Sequence, residues 1–120
     1  MEPQFLIASV IFGRGLFFYS FERQCEVIMF DEFKETVQSF MSHDPAARSP
    51  IEIVLLYPGF KALQSHKRAN WFYRHNMPFI ARYISQRSAH KTGIEIHPAA
   101  KIGRRVCIDH GHGIVIGETA

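Results

Sequence analysis

Four isoleucines near the end of the chain recur at a strict interval of six residues: Ile96, Ile102, Ile108 and Ile114. The residues between them are mostly polar, small or glycine. An interval of six matches neither the 3.6-residue period of a helix nor the two-residue period of a strand. It is typical of a parallel β-helix, in which each hexad forms a short strand and a turn. We therefore predict that the repeated isoleucines point into the interior of such a coil.

The same stretch holds the densest cluster of ionisable side chains, which are Glu95, His97, Asp109, His110 and His112. A histidine among carboxylates suits general base chemistry near neutral pH. Imidazole and carboxylate groups are also ligands for zinc. Taken alone, His110 and Asp109 fit an exposed turn as well as an active site, and His97 fits a structural position at a hexad turn.

The chain ahead of the repeat has the spacing of helices. Apolar residues follow Asp31 at intervals of three and four, which predicts a helix that begins near Met29 with Asp31 as its N-cap. The proline of His43-Asp44-Pro45 should end this helix, because the residue before proline is forced out of the helical conformation. Asp44 can then cap the following turn through its carboxylate. Residues 1–28 show no clear helical or strand period.

Three further helices are predicted between this one and the repeat. Ser49-Pro50 has the pattern of an N-cap followed by the first helical residue, and this helix should stop at Tyr57-Pro58-Gly59. The next should run from Phe60 to His75, with Trp71, Phe72 and Tyr73 as core or helix-contact residues. The last should run from Pro78 to Thr92, with Gly93 in the left-handed conformation that ends many helices. The predicted fold class is α+β, an all-helical domain over residues 29–92 followed by the first coil of a parallel β-helix over residues 93–120.

Composition places the chain among ordinary globular proteins. It has 120 residues, 47% of them hydrophobic and 21% charged, and a net charge of +3 without any long block of like charges, so no nucleic-acid-binding tail is indicated. The apolar stretch from Phe5 to Tyr19 contains Arg14 and is too short to span a bilayer. Cys25 and Cys107 are too few for a disulfide scaffold, so a reducing, cytoplasmic setting is expected.

Three segments together resemble the bacterial-type serine acetyltransferases. They are Asp44-Pro-Ala-Ala-Arg-Ser, then Gly93-Ile-Glu-Ile-His-Pro-Ala-Ala-Lys-Ile-Gly, then Ile108-Asp-His-Gly-His-Gly-Ile-Val-Ile-Gly-Glu-Thr-Ala. The resemblance implies a helical N-terminal domain followed by a left-handed parallel β-helix. It implies transfer of acetyl from acetyl-CoA to the hydroxyl of L-serine, which gives O-acetylserine for cysteine biosynthesis. It also implies homotrimers, often paired into dimers of trimers.

The resemblance assigns roles to four side chains. His110 matches the family's catalytic histidine, which removes the proton of the serine hydroxyl. Glu95 matches an acidic residue that orients this imidazole, and Asp44 and Asp109 match acidic residues that bind the serine substrate. Acetyl-CoA is expected as a co-substrate, with no tightly bound cofactor, no metal and no CoA-binding residue within these 120 residues. The resemblance also implies binding to cysteine synthase through a C-terminal tail that is not among these 120 residues.

Other interpretations stay open for the same residues. Asp44 also fits a simple helix cap and Asp109 a turn residue, while Arg104 and Arg105 fit a solvated face better than a CoA-phosphate site. The histidine cluster also suits a zinc-dependent β-helix enzyme of the gamma carbonic anhydrase type. A third alternative is a non-catalytic fragment that assembles with other chains.

The extent of the repeat predicts that the chain is the front part of a longer protein. Residues 96–119 hold four hexads, barely more than one coil, whereas solenoid units are stable only when several stack. The resemblance covers about Met29 to Ala120. We therefore expect residues 1–28 to be an extension of doubtful status, with Met29 as a candidate start of translation.

Overall fold

The computed structural model describes residues 16–120, and the side chains from Val27 onward. These residues form four helices and two short parallel strands. The elements are α1 (Leu16–His43), α2 (Pro50–Leu56), α3 (Pro58–Arg74), α4 (Pro78–Thr92), β1 (Glu95–Ile96) and β2 (Val115–Ile116). The chain divides into two compact units, Met1–Lys34 and Glu35–Ala120. Within residues 16–120, no helix combines the length and apolar character needed to cross a bilayer.

The first helix starts well ahead of the predicted position. It begins at Leu16, so Asp31 lies inside the helix and the prediction that Asp31 is its N-cap is wrong. Residues 16–43 contain no glycine or proline, so nothing in this stretch interrupts a helix even though its first half lacks an apolar stripe. The remainder of the predicted extension, residues 1–15, lies outside the described residues.

The described side chains of the first unit are largely exposed. Val27, Ile28, Met29 and Phe30 are all more than half exposed. The ammonium group of Lys34 lies 4.6 Å from the centre of the Phe30 ring, a cation–π distance.

Local signals set three of the other helix ends as predicted. The first helix ends at His43, directly before Asp44-Pro45. Ser49 is the N-cap of α2, and its hydroxyl accepts a hydrogen bond from the Glu52 amide at 3.4 Å. Gly93 ends α4 in the left-handed conformation with φ of 71°.

The junction between α2 and α3 is tighter than predicted. Tyr57 is both the C-cap of α2 and the N-cap of α3, so α3 starts at Pro58 and not at Phe60. Proline is tolerated in the first turn of a helix because its missing N–H has no partner there.

An aromatic cluster forms the core beside this junction. Phe40, Ile53 and Phe60 are almost fully buried. The Phe40 ring packs edge-on against Phe60 with ring centres 5.9 Å apart and against Tyr57 at 6.1 Å. Such edge-to-face pairs are favoured by the ring quadrupoles, so the end of α1 is held against the start of α3.

The two strands of the repeat segment, β1 and β2, pair in parallel. Glu95 lies opposite Val115 and Ile96 opposite Ile116, and the amide of Glu95 donates to the Ile114 carbonyl at 2.9 Å. Of the four repeated isoleucines, Ile96 and Ile108 are buried, Ile102 is partly buried and Ile114 is 37% exposed. The inward orientation that the six-residue period predicts is therefore clear in the first and third hexads.

Three polar side chains from the helices cover the opposite edge of β1; we refer to them as the edge trio. Ser85 donates to the Ile96 carbonyl, Asn70 donates to the Pro98 carbonyl at 2.8 Å, and His66 hydrogen-bonds the Ala100 backbone. The backbone positions they bind alternate along the chain, as expected for groups on one side of an extended segment. The edge trio thus satisfies backbone groups that would otherwise form an open sheet edge.

Candidate functional site

The predicted catalytic histidine lies on an exposed turn between β1 and β2. His110 has a φ of 47°, an uncommon left-handed conformation for a residue other than glycine. Its side chain is 94% exposed, and its Nε2 atom lies 3.5 Å from Oδ1 of Asp109, which is 55% exposed. The imidazole is therefore open to a ligand and has a carboxylate as its neighbour.

Asp44 lies in the loop between α1 and α2 and is held by two hydrogen bonds. Its Oδ1 accepts the Ala46 amide at 2.8 Å, which confirms the capping interaction expected from the sequence. Its Oδ2 accepts a short hydrogen bond from the hydroxyl of Tyr57. Both carboxylate oxygens are thus fixed by donors, and each retains a lone pair for a ligand.

Electrostatic interactions connect Asp44 with the Asp109–His110 turn. The hydrogen bond from Tyr57, followed by the one from Ala46 and the positive field of His110, lowers the pKa of Asp44 below its ordinary value. The reciprocal hydrogen bond to Asp44, together with desolvation and the nearby carboxylates that include Asp109, raises the pKa of Tyr57 to about 12. The two carboxylates, the imidazole and the phenol therefore form one electrostatic cluster.

A close backbone approach brings these segments together. Gly59, in the first turn of α3, packs directly on Ile108, so that a β-carbon on Gly59 would lie 2.1 Å from the Ile108 carbonyl oxygen. Tyr57 is two residues before Gly59, and Asp109 follows Ile108. The contact therefore holds the Asp44–Tyr57 pair beside the Asp109–His110 turn.

Glu95, the predicted orienting carboxylate, lies at the start of β1. It is exposed on β1, and within residues 16–120 no hydrogen bond or ion pair links it to His110, whose ion-pair partner is Asp109. Its role as the partner of His110 stays a prediction.

The two neighbouring histidines of the motif have structural surroundings. His97 Nδ1 accepts the Ala99 amide at 3.1 Å, and its ring packs against Tyr73 with centres 6.1 Å apart. The His112 ring lies over Gly93, where an added β-carbon would come within 2.4 Å of Nδ1. These contacts agree with the structural role predicted for His97.

Other candidate residues lie apart from the cluster. Arg104 is 62% exposed and pairs with Glu35 at 2.9 Å, in keeping with the solvated face predicted for it. Trp71 is 52% exposed and stacks on His75 of its own helix, with ring centres 4.0 Å apart, so it is a helix-contact residue outside the core. Burial and the nearby Asp109 and Asp44 raise the pKa of the Cys107 thiol.

The described residues hold no ready metal site. Between positions 16 and 120, no three side chains of the His, Cys, Asp and Glu types come together closely enough to bind one ion. The zinc alternative therefore gains no support from the arrangement of these histidines within one chain.

Sequence reasoning missed Tyr57 as a member of the cluster. Its hydroxyl reaches Asp44 across the whole of α2, a contact that no periodic pattern encodes. The local signal is a polar aromatic residue at a helix junction, and the pattern Tyr57-Pro58-Gly59 predicts only a helix stop there.

The arrangement suits recognition of a small cationic amine next to a group that undergoes deprotonation. Asp44 and Asp109 supply negative charge for an ammonium group. His110 supplies an exposed imidazole that can accept a proton from a nearby hydroxyl.

Comparison with known proteins gives a consistent match. No protein-family model matches the chain. The chain is 53% identical over 92 residues to the serine acetyltransferase of Bacillus pumilus, covering 77% of this chain and 42% of that protein. It is similar to the structure of serine acetyltransferase in complex with coenzyme A from Brucella abortus, with a TM-score of 0.76 and 33% identity over 86% of this chain and 40% of that one. The structure of soybean serine acetyltransferase complexed with serine matches with a TM-score of 0.71 and 34% identity over 74% of this chain and 37% of that one. The chain thus spans about two fifths of the length of these relatives.

Proposed function

Because the chain is homologous to serine acetyltransferases over about 40% of their length, we propose that it forms the serine-recognising portion of a serine O-acetyltransferase. The reaction joins the serine hydroxyl oxygen to the acetyl carbonyl carbon of acetyl-CoA and breaks the thioester carbon–sulfur bond. The products are O-acetylserine, for cysteine biosynthesis, and CoA. The observation that carries the proposal is the electrostatic interaction of Asp44 with the Asp109–His110 turn, which lies far from it in sequence.

His110 acts as the general base in this proposal. A serine hydroxyl is a weak nucleophile until a base removes its proton in the transition state. His110 takes that proton as the oxygen attacks, and the proton then passes to the departing CoA sulfur. The exposure of its side chain leaves room for substrate, and the neighbouring Asp109 stabilises the imidazolium that forms.

Asp44 and Asp109 bind the serine ammonium group. Both carboxylates carry negative charge, and the hydrogen bonds that lower the pKa of Asp44 keep it ionised. Glu95 is proposed as a further carboxylate that orients the imidazole in the assembled enzyme. The soybean relative was solved in complex with serine, which agrees with this substrate.

The proposal also includes the β-helix and the oligomeric assembly of the enzyme. The parallel pairing of β1 with β2 is the first coil of a left-handed β-helix, and further coils supply the acetyl-CoA site, as expected from relatives solved with CoA. Ile114 and Val115 are exposed apolar residues on this coil, which supports packing into homotrimers or dimers of trimers. A cytoplasmic location and binding to cysteine synthase belong to the same proposal.

Serine titration of the 120-residue chain tests the proposal directly. We expect L-serine to cause saturable NMR shifts at the amides and carboxyl carbons of Asp44 and Asp109, and L-alanine and D-serine to bind more weakly. Asp109→Asn should weaken serine binding, whereas the exposed His90→Ala should not. Equal shifts with all three amino acids, or none at these residues, would contradict the proposal.

Acetyl transfer provides the second test. In the full-length enzyme that contains this portion, release of CoA thiol from acetyl-CoA and L-serine should disappear in His110→Ala while serine binding persists. If His110→Ala weakens serine binding but acetyl transfer at saturating serine is unchanged, His110 serves substrate recognition instead of base catalysis.

A further inference from the structure

We propose that Tyr57 is a positioning residue for the substrate, and that its hydroxyl holds the Asp44 carboxylate in one orientation beside the Asp109–His110 turn. This inference rests on the proposed function, since it concerns how the serine ammonium group is recognised. The resemblance to known enzymes assigned no role to this tyrosine.

The first argument is the way in which Tyr57 is anchored. Its amide donates to the Ile53 carbonyl at 3.3 Å, and its carbonyl accepts the Lys61 amide at 3.2 Å, so its backbone belongs to both α2 and α3. Its ring packs edge-on against the buried Phe40. With backbone and ring both fixed, the hydroxyl has little freedom other than rotation about its C–O bond.

The second argument is that the segment around Tyr57 is in contact with the Asp109–His110 turn. Gly59 packs on the backbone of Ile108, so the start of α3 and the segment before Asp109 are in direct contact. The hydrogen bond from Tyr57 therefore holds Asp44 in place relative to Asp109, through the contact of Gly59 with Ile108. Substrate-binding groups contribute most when they are held in place before the ligand arrives.

The third argument is the chemistry of the phenol. Because Asp44, Glu52 and Asp109 raise the pKa of Tyr57, the hydroxyl remains a donor at neutral pH and does not serve as a base. A neutral donor stabilises the carboxylate and leaves its negative charge for the substrate amine. Tyr57 thus supports Asp44 without competing with His110 for the serine proton.

The test compares Tyr57→Phe with Tyr83→Phe in the 120-residue chain. Both variants remove one hydroxyl, but Tyr83 is 59% exposed on α4. We expect Tyr57→Phe to weaken L-serine binding roughly tenfold, the scale of a lost hydrogen bond to a charged group, and Tyr83→Phe to leave it unchanged. Amide NMR spectra verify that both variants remain folded.

Two further measurements separate positioning from a purely structural role. The Asp44 carboxyl carbon, followed by NMR, should titrate at a higher pH in Tyr57→Phe than in the unmodified chain. The variant should therefore lose serine affinity sooner as the pH falls from about 7 to about 4. In an Asp44→Asn background, Tyr57→Phe should have no additional effect on serine binding.

The outcomes are distinguishable. If the unmodified chain binds serine and Tyr57→Phe binds it equally well, or if the titration of Asp44 does not move, the inference is overturned while the proposed function stands. If the unmodified chain does not bind serine, the proposed function fails and the inference fails with it. A tenfold loss confined to backgrounds that retain Asp44 supports the inference.

Discussion

Gly59 and Ile108 approach so closely that a β-carbon on Gly59 would lie 2.1 Å from the Ile108 carbonyl oxygen. This contact joins the first turn of α3 to the residue before Asp109. It explains how a helical segment and the six-residue repeat segment produce a shared cluster of ionisable groups.

Replacing Gly59 with alanine should therefore destabilise the protein. We expect a loss of about 1–3 kcal/mol in the free energy of unfolding, because the added methyl group overlaps backbone that cannot move away easily. Urea unfolding measures this change. Gly103→Ala is the matched control, since a β-carbon there meets nothing within 4 Å, and its effect should stay within about 0.5 kcal/mol. Equal stability of the Gly59→Ala variant and the unmodified chain would show that the Ile108 backbone moves away from the added methyl group at little cost.

His66 should make stability depend on pH. It is buried at 6% exposure, its Nδ1 has no hydrogen-bond partner among the described residues, and burial lowers its pKa below the ordinary 6.5. The unfolded chain therefore binds more protons than the folded one between the lowered pKa and about 6.5. The stabilising effect of neutral His66 is present above about pH 6.5 and is lost as the pH falls below it.

Urea unfolding between about pH 7.5 and about pH 5 measures this dependence. His66→Gln should flatten it, whereas His90→Gln, at an exposed position, should not. An unchanged slope in His66→Gln would assign the pH dependence to other groups.

Asn70 should contribute to the packing of α3 on the coil. Its amide donates to the Pro98 carbonyl at 2.8 Å, so Asn70→Ala leaves that partly buried carbonyl without its partner. We expect a loss of about 1–2 kcal/mol in the free energy of unfolding. Gln86→Ala, at an exposed position on α4, is the control and should be close to neutral. Equal effects of the two substitutions would mean that the edge trio adds little stability at this position.

The Tyr57 phenol should titrate at unusually high pH. Its pKa of about 12 reflects the hydrogen bond to Asp44, so Asp44→Asn should lower the pKa of Tyr57 toward the ordinary 10.0. Because the pKa is raised on folding, this contribution to stability is complete below pH 10 and is lost as the pH rises toward 12. Ring-carbon NMR of labelled tyrosine measures the titration. A titration of Tyr57 near the ordinary 10.0 would contradict the hydrogen bond.

Several features could be predicted from the sequence because neighbouring residues encode them. Ser49-Pro50 specifies a helix start through a side chain that accepts a nearby amide, and Gly93 specifies a helix end because only glycine adopts its conformation without strain. The isoleucine repeat likewise indicates which side chains face the coil interior. The predicted start of α1 near Met29 was wrong, because a helix without an apolar stripe gives no periodic signal in the sequence.

The sequence by itself determined the helix boundaries that carry caps, the six-residue repeat and the motif that contains His110. Each depends on residues close together in the chain, whose conformations are restricted by local sterics and hydrogen bonds. Only the tertiary structure decided that Tyr57 donates a hydrogen bond to Asp44 and that the Asp109 carboxylate is the ion-pair partner of His110. These relationships depend on Gly59 meeting Ile108, a contact between distant segments that follows from packing and not from any local preference.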